Sequence, residues 1–175
     1  RLARLKSFSD CFGQYAWGYL SYNSTTADAA LLRTRMAIYE RPLLSHEVGI
    51  IGNYLNLDLE RRYDGTRIGP AMFASLRRTL RDAGLLDRAP LYYRNSCAWA
   101  RVVRKHAIEM ARRCEYIQGY DFLGGIDCHW HRTGYPCGVL NEFYDLKPGD
   151  TAADILAYNG ESVLLCAHDG TRNLT

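Results

Sequence analysis

The chain has 175 residues, 47% of them hydrophobic and 23% charged, with a formal net charge of +3. That length buries one sizeable core, and the interspersed charges leave neither the basic stripe of a nucleic-acid-binding face nor an acidic tail. The longest apolar stretches, such as residues 162–167, are too short to span a bilayer. No secretory leader pattern opens the chain, but it begins with Arg1 rather than Met, so this assigns no compartment and leaves a secreted or periplasmic one open. The six cysteines, at 11, 97, 114, 128, 137 and 166, are scattered with no Cys-x-x-Cys pair, and Cys97 and Cys114 fall in a predicted helix, where buried free thiols are common.

Core-like material begins almost at once (FSDCFGQYAWGYLSY, 8–22), and the apolar run at 162–167 has no partner strand after it. Both features suggest a piece of a longer protein. Thr26 can cap a helix to about residue 40, with Leu31, Leu32, Met36 and Tyr39 on one stripe, and Arg41-Pro42 ends it. Pro42, Leu43 and Leu44 read as a buried strand that ends in the polar cluster Ser45-His46-Glu47, with Gly49 beyond. Residues 50–69 have no strict period, and Asp64-Gly65 marks a turn within them.

Pro70 opens the next helix, Phe73, Leu76 and Leu80 line it, and Gly84 closes it. Residues 85–90 read as a linker. A long helix follows from about 95 to 113, with Trp99, Val103, Ala107, Met110 and Cys114 at helical spacing. A second strand covers 116–124, then a loop rich in Gly, His and aromatics runs to 138. A short helix at 151–158 and a strand at 162–167 complete the series. Strands alternating with long helices predict an α/β fold with parallel pairing, in which chemistry gathers at the strands' C-terminal ends.

Two polar clusters fall at such ends. Glu47 follows a buried apolar strand, where a carboxylate is costly unless partners or solvent hold it. The same position would suit a carboxylate that merely caps or pairs at a strand end. HEVGI is not the zinc-protease motif HExxH, since position 50 is Ile. The second cluster, residues 119–142, mixes Tyr120, Trp130 and Tyr135 with Asp121, Asp127, His129, His131, Asn141 and Glu142. Aromatic faces beside carboxylates and histidines suit sugars, although these aromatics could equally be packing residues. His129 and His131 with Cys128 and Cys137 invite a zinc reading, but no second pair completes a recognised spacing. A Ser45-His46-Asp121 triad lacks a GxSxG elbow, and neighbouring strand residues point to opposite faces.

The run PLLSHEVG (42–49) resembles the seventh-strand motif of glycoside hydrolase family 2, which includes β-galactosidases and β-glucuronidases. IQGYDFLGGID and GYPCGVLNEFYDLKPGD are similar to that family's eighth strand and loop. The resemblance implies the last strands and helices of a partial (β/α)8 TIM barrel over 1–158, with a β-sandwich beginning at 159–175. It implies a retaining glycosidase releasing terminal β-linked sugars, with Glu47 as nucleophile and no cofactor or metal. His46, Tyr120, Asp121, Asp127, His129, Trp130, His131, Asn141, Glu142 and Lys147 would line the carbohydrate. In the family the acid/base precedes the nucleophile in the chain, so Asn141-Glu142 does not supply it, and this piece alone is expected to be inactive. The expected partner is carbohydrate, with neither nucleic acid nor membrane, and a homo-oligomer is left open. The alternatives are a carbohydrate-binding barrel without chemistry and a zinc-dependent hydrolase using His129, His131 and Cys137.

Overall fold

A computed structural model describes residues 10–14, 29–67, 71–128 and 136–165. Three strands, β1 (Phe12–Gln14), β2 (Leu43–Val48) and β3 (Ile117–Phe122), form a parallel sheet in the order β1-β2-β3. Between β1 and β2 lies α1 (Ala29–Met36). Between β2 and β3 come a 3-10 segment (Leu57–Tyr63), α2 (Ala71–Asp82), a short 3-10 turn (Leu86–Arg88) and the long α3 (Ala89–Arg113). After β3 a loop leads to α4 (Ala152–Asn159).

Local chemistry sets the ends of these elements. Gly84, at φ +68, takes the left-handed position after α2. Its amide donates to Arg81 O, and that of Leu85 donates to Leu80 O, closing a Schellman motif. Thr151 and Asp154 form a reciprocal capping box at the start of α4. The expected linker at 85–90 is no linker: its 3-10 turn runs directly into α3, whose first turn holds Pro90, where a missing N–H is harmless. The expected stripe holds at Val103, Ala107, Met110 and Cys114, all buried, and the earlier start extends the buried face back through Ala100 and Cys97 to Tyr93. Trp99, expected on that stripe, is 42% exposed. The expected cap Thr26 lies outside the described residues.

The core packs Leu43, Val48 and Ile117 of the sheet against Leu32 and Met36 of α1, Ala107, Ile108 and Ala111 of α3, and Tyr158 of α4. A second cluster joins Leu57, Phe73, Leu80 and Ala89. Leu44, expected to be buried, is 44% exposed. No described helix is long and apolar enough to cross a membrane.

The expectation of a partial (β/α)8 barrel followed by a β-sandwich is overturned. The described residues form an α/β arrangement around an open sheet of only three parallel strands. Closure needs tilted strands paired to neighbours on both sides all the way round, about eight in a barrel of this kind. Among the described residues β1 and β3 are the edges of the sheet, and Leu44 points away from the helix-packed core. The expected strand at 162–167 is irregular backbone over 162–165, and Leu164 is fully exposed. An apolar run signals burial only when a partner supplies the ladder hydrogen bonds, and no described segment pairs with it. Residues 166–167 lie outside the described residues.

Candidate functional site

The β2–β3 ladder is regular at Leu44 opposite Gly119 and Ser45 opposite Tyr120, and resumes at Val48 opposite Phe122. Between these points β2 carries one residue more than β3, so His46 and Glu47 together face Asp121. This is a bulge, a local widening that bends a strand and re-aims its side chains. Glu47 absorbs the bend at φ +58, in the left-handed region that a side chain rarely adopts.

Both residues are tied to Asp121. Its Oδ1 accepts from the Glu47 amide at 2.9 Å, and its Oδ2 lies 2.6 Å from His46 Nδ1. The other ring nitrogen, Nε2, is 3.7 Å from Glu47 Oε1. The hydrogen bond to Asp121, helped by the charges of Asp121 and Glu47 against some desolvation, raises the His46 pKa above the ordinary imidazole value. Partial burial pushes the Asp121 carboxyl up, but the bonds from His46 and the Glu47 amide outweigh it and hold the group below its usual range. The Glu47 side chain is 27% exposed, open to an approaching molecule while held at its base.

A left-handed carboxylate residue stores strain that glycine would release. Glu47→Gly is expected to raise stability by about 1 kcal/mol, after allowing for glycine's greater chain entropy and for removal of the weak surface pairing with His46. A shift of the urea midpoint to lower concentration would contradict this assignment of strain.

The second group of expected site residues turns inward. Lys147 Nζ donates to Asp127 Oδ1 at 2.6 Å and to Asn53 Oδ1 at 2.8 Å, and the same Asp127 oxygen accepts from the Gly138 amide at 2.7 Å. The Lys147 and Asp127 side chains are 3% and 5% exposed. Asn141 organises its own turn, accepting from the Phe143 and Asp145 amides and donating to Asp145 Oδ2. Glu142 Oε1 accepts from Tyr63 OH at 2.8 Å. Burial, reinforced by Glu142, pushes the Tyr63 phenol well above its ordinary value. Tyr54, Tyr93, Asp127, Asn141 and Glu142 border a cavity of about 10 Å³, room for roughly one water and not for a sugar ring.

Tyr120, on β3, donates its hydroxyl to Asn159 Oδ1 at 2.6 Å, fastening the sheet to α4. His129, Trp130 and His131 lie outside the described residues. Among the described residues no three His, Cys, Asp or Glu side chains are grouped to hold a metal.

The structure therefore brings His46, Glu47 and Asp121 together at one strand end and places Asp127, Asn141, Glu142 and Lys147 in a loop network. Sequence reasoning missed Asn53 and Tyr63, partners of Lys147 and Glu142 from the aperiodic segment 50–69. The length and aromatic content of that connection were its only signal. It also missed Arg104–Asp150, a buried ion pair at 2.8 Å. A β-carbon at Gly49 would meet Arg104 Cγ at 3.1 Å and the Phe122 ring at 3.3 Å, so the turn just past Glu47 rests on Arg104. Neither a known family model nor a curated protein matches the chain.

Proposed function

We propose that the chain is part of a retaining glycoside hydrolase that releases terminal β-linked sugars, contributing Glu47 as the nucleophile while the acid/base comes from outside this chain. The observation that carries the reading is the setting of Glu47. It is a partly exposed carboxylate at the C-terminal end of a parallel strand, on a bulge and in a left-handed conformation. Strain and bulges of this kind concentrate where a side chain must be aimed rather than packed. The PLLSHEVG resemblance supplies the substrate class.

In this reading a Glu47 oxygen forms a bond to the anomeric carbon as the bond from that carbon to the leaving oxygen breaks. A general acid protonates the departing oxygen. Water then cleaves the glycosyl ester, returning the Glu47 carboxylate and a sugar of unchanged configuration.

A 2-deoxy-2-fluoro-β-galactoside with a dinitrophenolate leaving group tests the nucleophile directly, because so good a leaving group departs without general-acid help. The wild-type chain is expected to gain the mass of one fluoroglycosyl unit, mapped to the peptide holding Glu47. Glu47→Gln is expected to slow labelling at least about 1,000-fold. Labelling at another residue, or equal labelling of the variant, would overturn the assignment. Saturable binding of the sugar without any labelling would favour a carbohydrate-binding protein.

A further inference from the structure

We propose that Asp121 is the positioning residue of this site, one carboxylate that clamps the backbone of Glu47 and the ring of His46 at once and so assembles two strand neighbours into a single unit. The inference rests on the reading of Glu47 as nucleophile, and it adds a role that residue types alone do not give to Asp121 or His46.

Consecutive strand residues project to opposite faces of a sheet. His46 and Glu47 do not: their side chains approach to 3.7 Å. Two things make this possible, the extra residue in β2 and the left-handed backbone at Glu47. Neither is self-sustaining, since the bulge gives up ladder hydrogen bonds and the left-handed residue is strained. Asp121 compensates both from the neighbouring strand. Its Oδ1 takes the Glu47 amide that the widened ladder leaves over, at 2.9 Å, and its Oδ2 takes His46 Nδ1 at 2.6 Å. The two oxygens of one carboxylate thus set both neighbours in register with each other.

The clamp also decides which nitrogen faces the nucleophile. With Nδ1 on Asp121, Nε2 is the atom presented to Glu47. Asp121 on β3 and Glu47 on β2 itself both favour the protonated form of the His46 ring. A protonated His46 sets a positive N–H beside the carboxylate that attacks, restricting its rotamer and its direction. Because the His46 pKa is raised on folding, its ion pair supports the site fully below the ordinary imidazole value. That support fades as pH rises through the raised value.

Asp121→Asn and Asp121→Ala separate the two functions of the clamp. Asn keeps an oxygen for the Glu47 amide but loses the charge that His46 needs, whereas Ala loses both. His46 is followed by NMR titration of its ring proton, assigned with His46→Gln, and the fluoroglycoside reports the nucleophile. Labelling is expected to slow about 10-fold in Asp121→Asn and about 100-fold in Asp121→Ala, the scale of misplacing a reacting atom by an ångström.

The His46 titration is expected to fall to or below the free-imidazole value in both variants, and the alkaline fall in labelling rate should move down with it. Circular dichroism should show the same helix content throughout. Wild-type labelling rates in both variants, or a His46 titration indifferent to Asp121, would overturn the proposal. If the wild-type chain is not labelled at all, the glycosidase reading fails. The His46 titration still decides whether Asp121 clamps the pair.

Discussion

Replacing Asp150 with alanine is expected to lower the unfolding free energy by about 3–5 kcal/mol, a large share of the total for a domain of this size. Arg104 lies on the buried face of α3 beside Val103, Ala107 and Ile108, and is 1% exposed. Its Nη1 donates to Asp150 Oδ2 at 2.8 Å, and both side chains are nearly inaccessible, at 2% and 4%. The Phe122 ring, 5.6 Å from the guanidinium carbon, offers a weak cation–π contact that cannot replace a carboxylate. The variant therefore keeps a charge in the core without the carboxylate that pairs with it.

The companion experiment discriminates between the worth of the pair and the cost of breaking it. Arg104→Met combined with Asp150→Leu removes both charges at similar volume and should recover most of the lost stability. Urea unfolding with an unchanged slope would measure both effects. A loss below about 1 kcal/mol in Asp150→Ala would mean that Arg104 reaches water, and the buried-pair description would fall.

The second large effect is expected at Lys147. Lys147→Met fits the space of the alkyl stem but takes the cation away from both Asp127 and Asn53, leaving the Gly138 amide on a buried carboxylate that has lost its counter-charge. The expected cost is again about 3–5 kcal/mol. It should also be local, because Lys147 joins segments far apart in sequence: Asn53 after β2, Asp127 after β3 and its own stretch of loop. Cys137 sits beside this network with a buried thiol whose pKa is pushed up, chiefly by burial. A thiol reagent should therefore modify Cys137 slowly in the wild-type protein and faster in Lys147→Met under native conditions. Equal rates would show that Lys147 does not hold the loop closed.

The elements are more legible in the sequence than their assembly. Helical spacing at Phe73 and Leu80 and the close at Gly84 are local signals, and α2 follows them. The extent of α3 is obscured because Pro90 looks like linker chemistry, although it fits the first turn of a helix equally well. The barrel and the sandwich fail for a different reason. Closure and pairing depend on partners distant in the chain, and neither Leu44 nor the run at 162–165 states in its own residues whether a partner exists.

At the site, Glu47 stands out because a carboxylate ends an apolar strand, and His46 and Asp121 have side chains that suit a sugar's hydroxyls. Their mutual arrangement is illegible. It depends on a bulge, and a bulge appears only when two strands are laid side by side. Asp127, Asn141 and Lys147 are residue types that suit a sugar as well, yet the same types satisfy one another in a buried network. Composition does not tell those uses apart.

The bulge has one more consequence, which concerns phase. Leu43, Ser45 and Val48 are the buried residues of β2, two odd positions followed by an even one. Had the strand kept its alternation, the next inward position would have been 47, and the carboxylate would have pointed into the helix-packed side with Leu43. Burying that charge unpaired would cost several kcal/mol. The extra residue shifts the phase by one, so that Val48 takes the inward place and Glu47 is released toward solvent. The irregularity is thus what lets one strand serve the core on both sides of an acid.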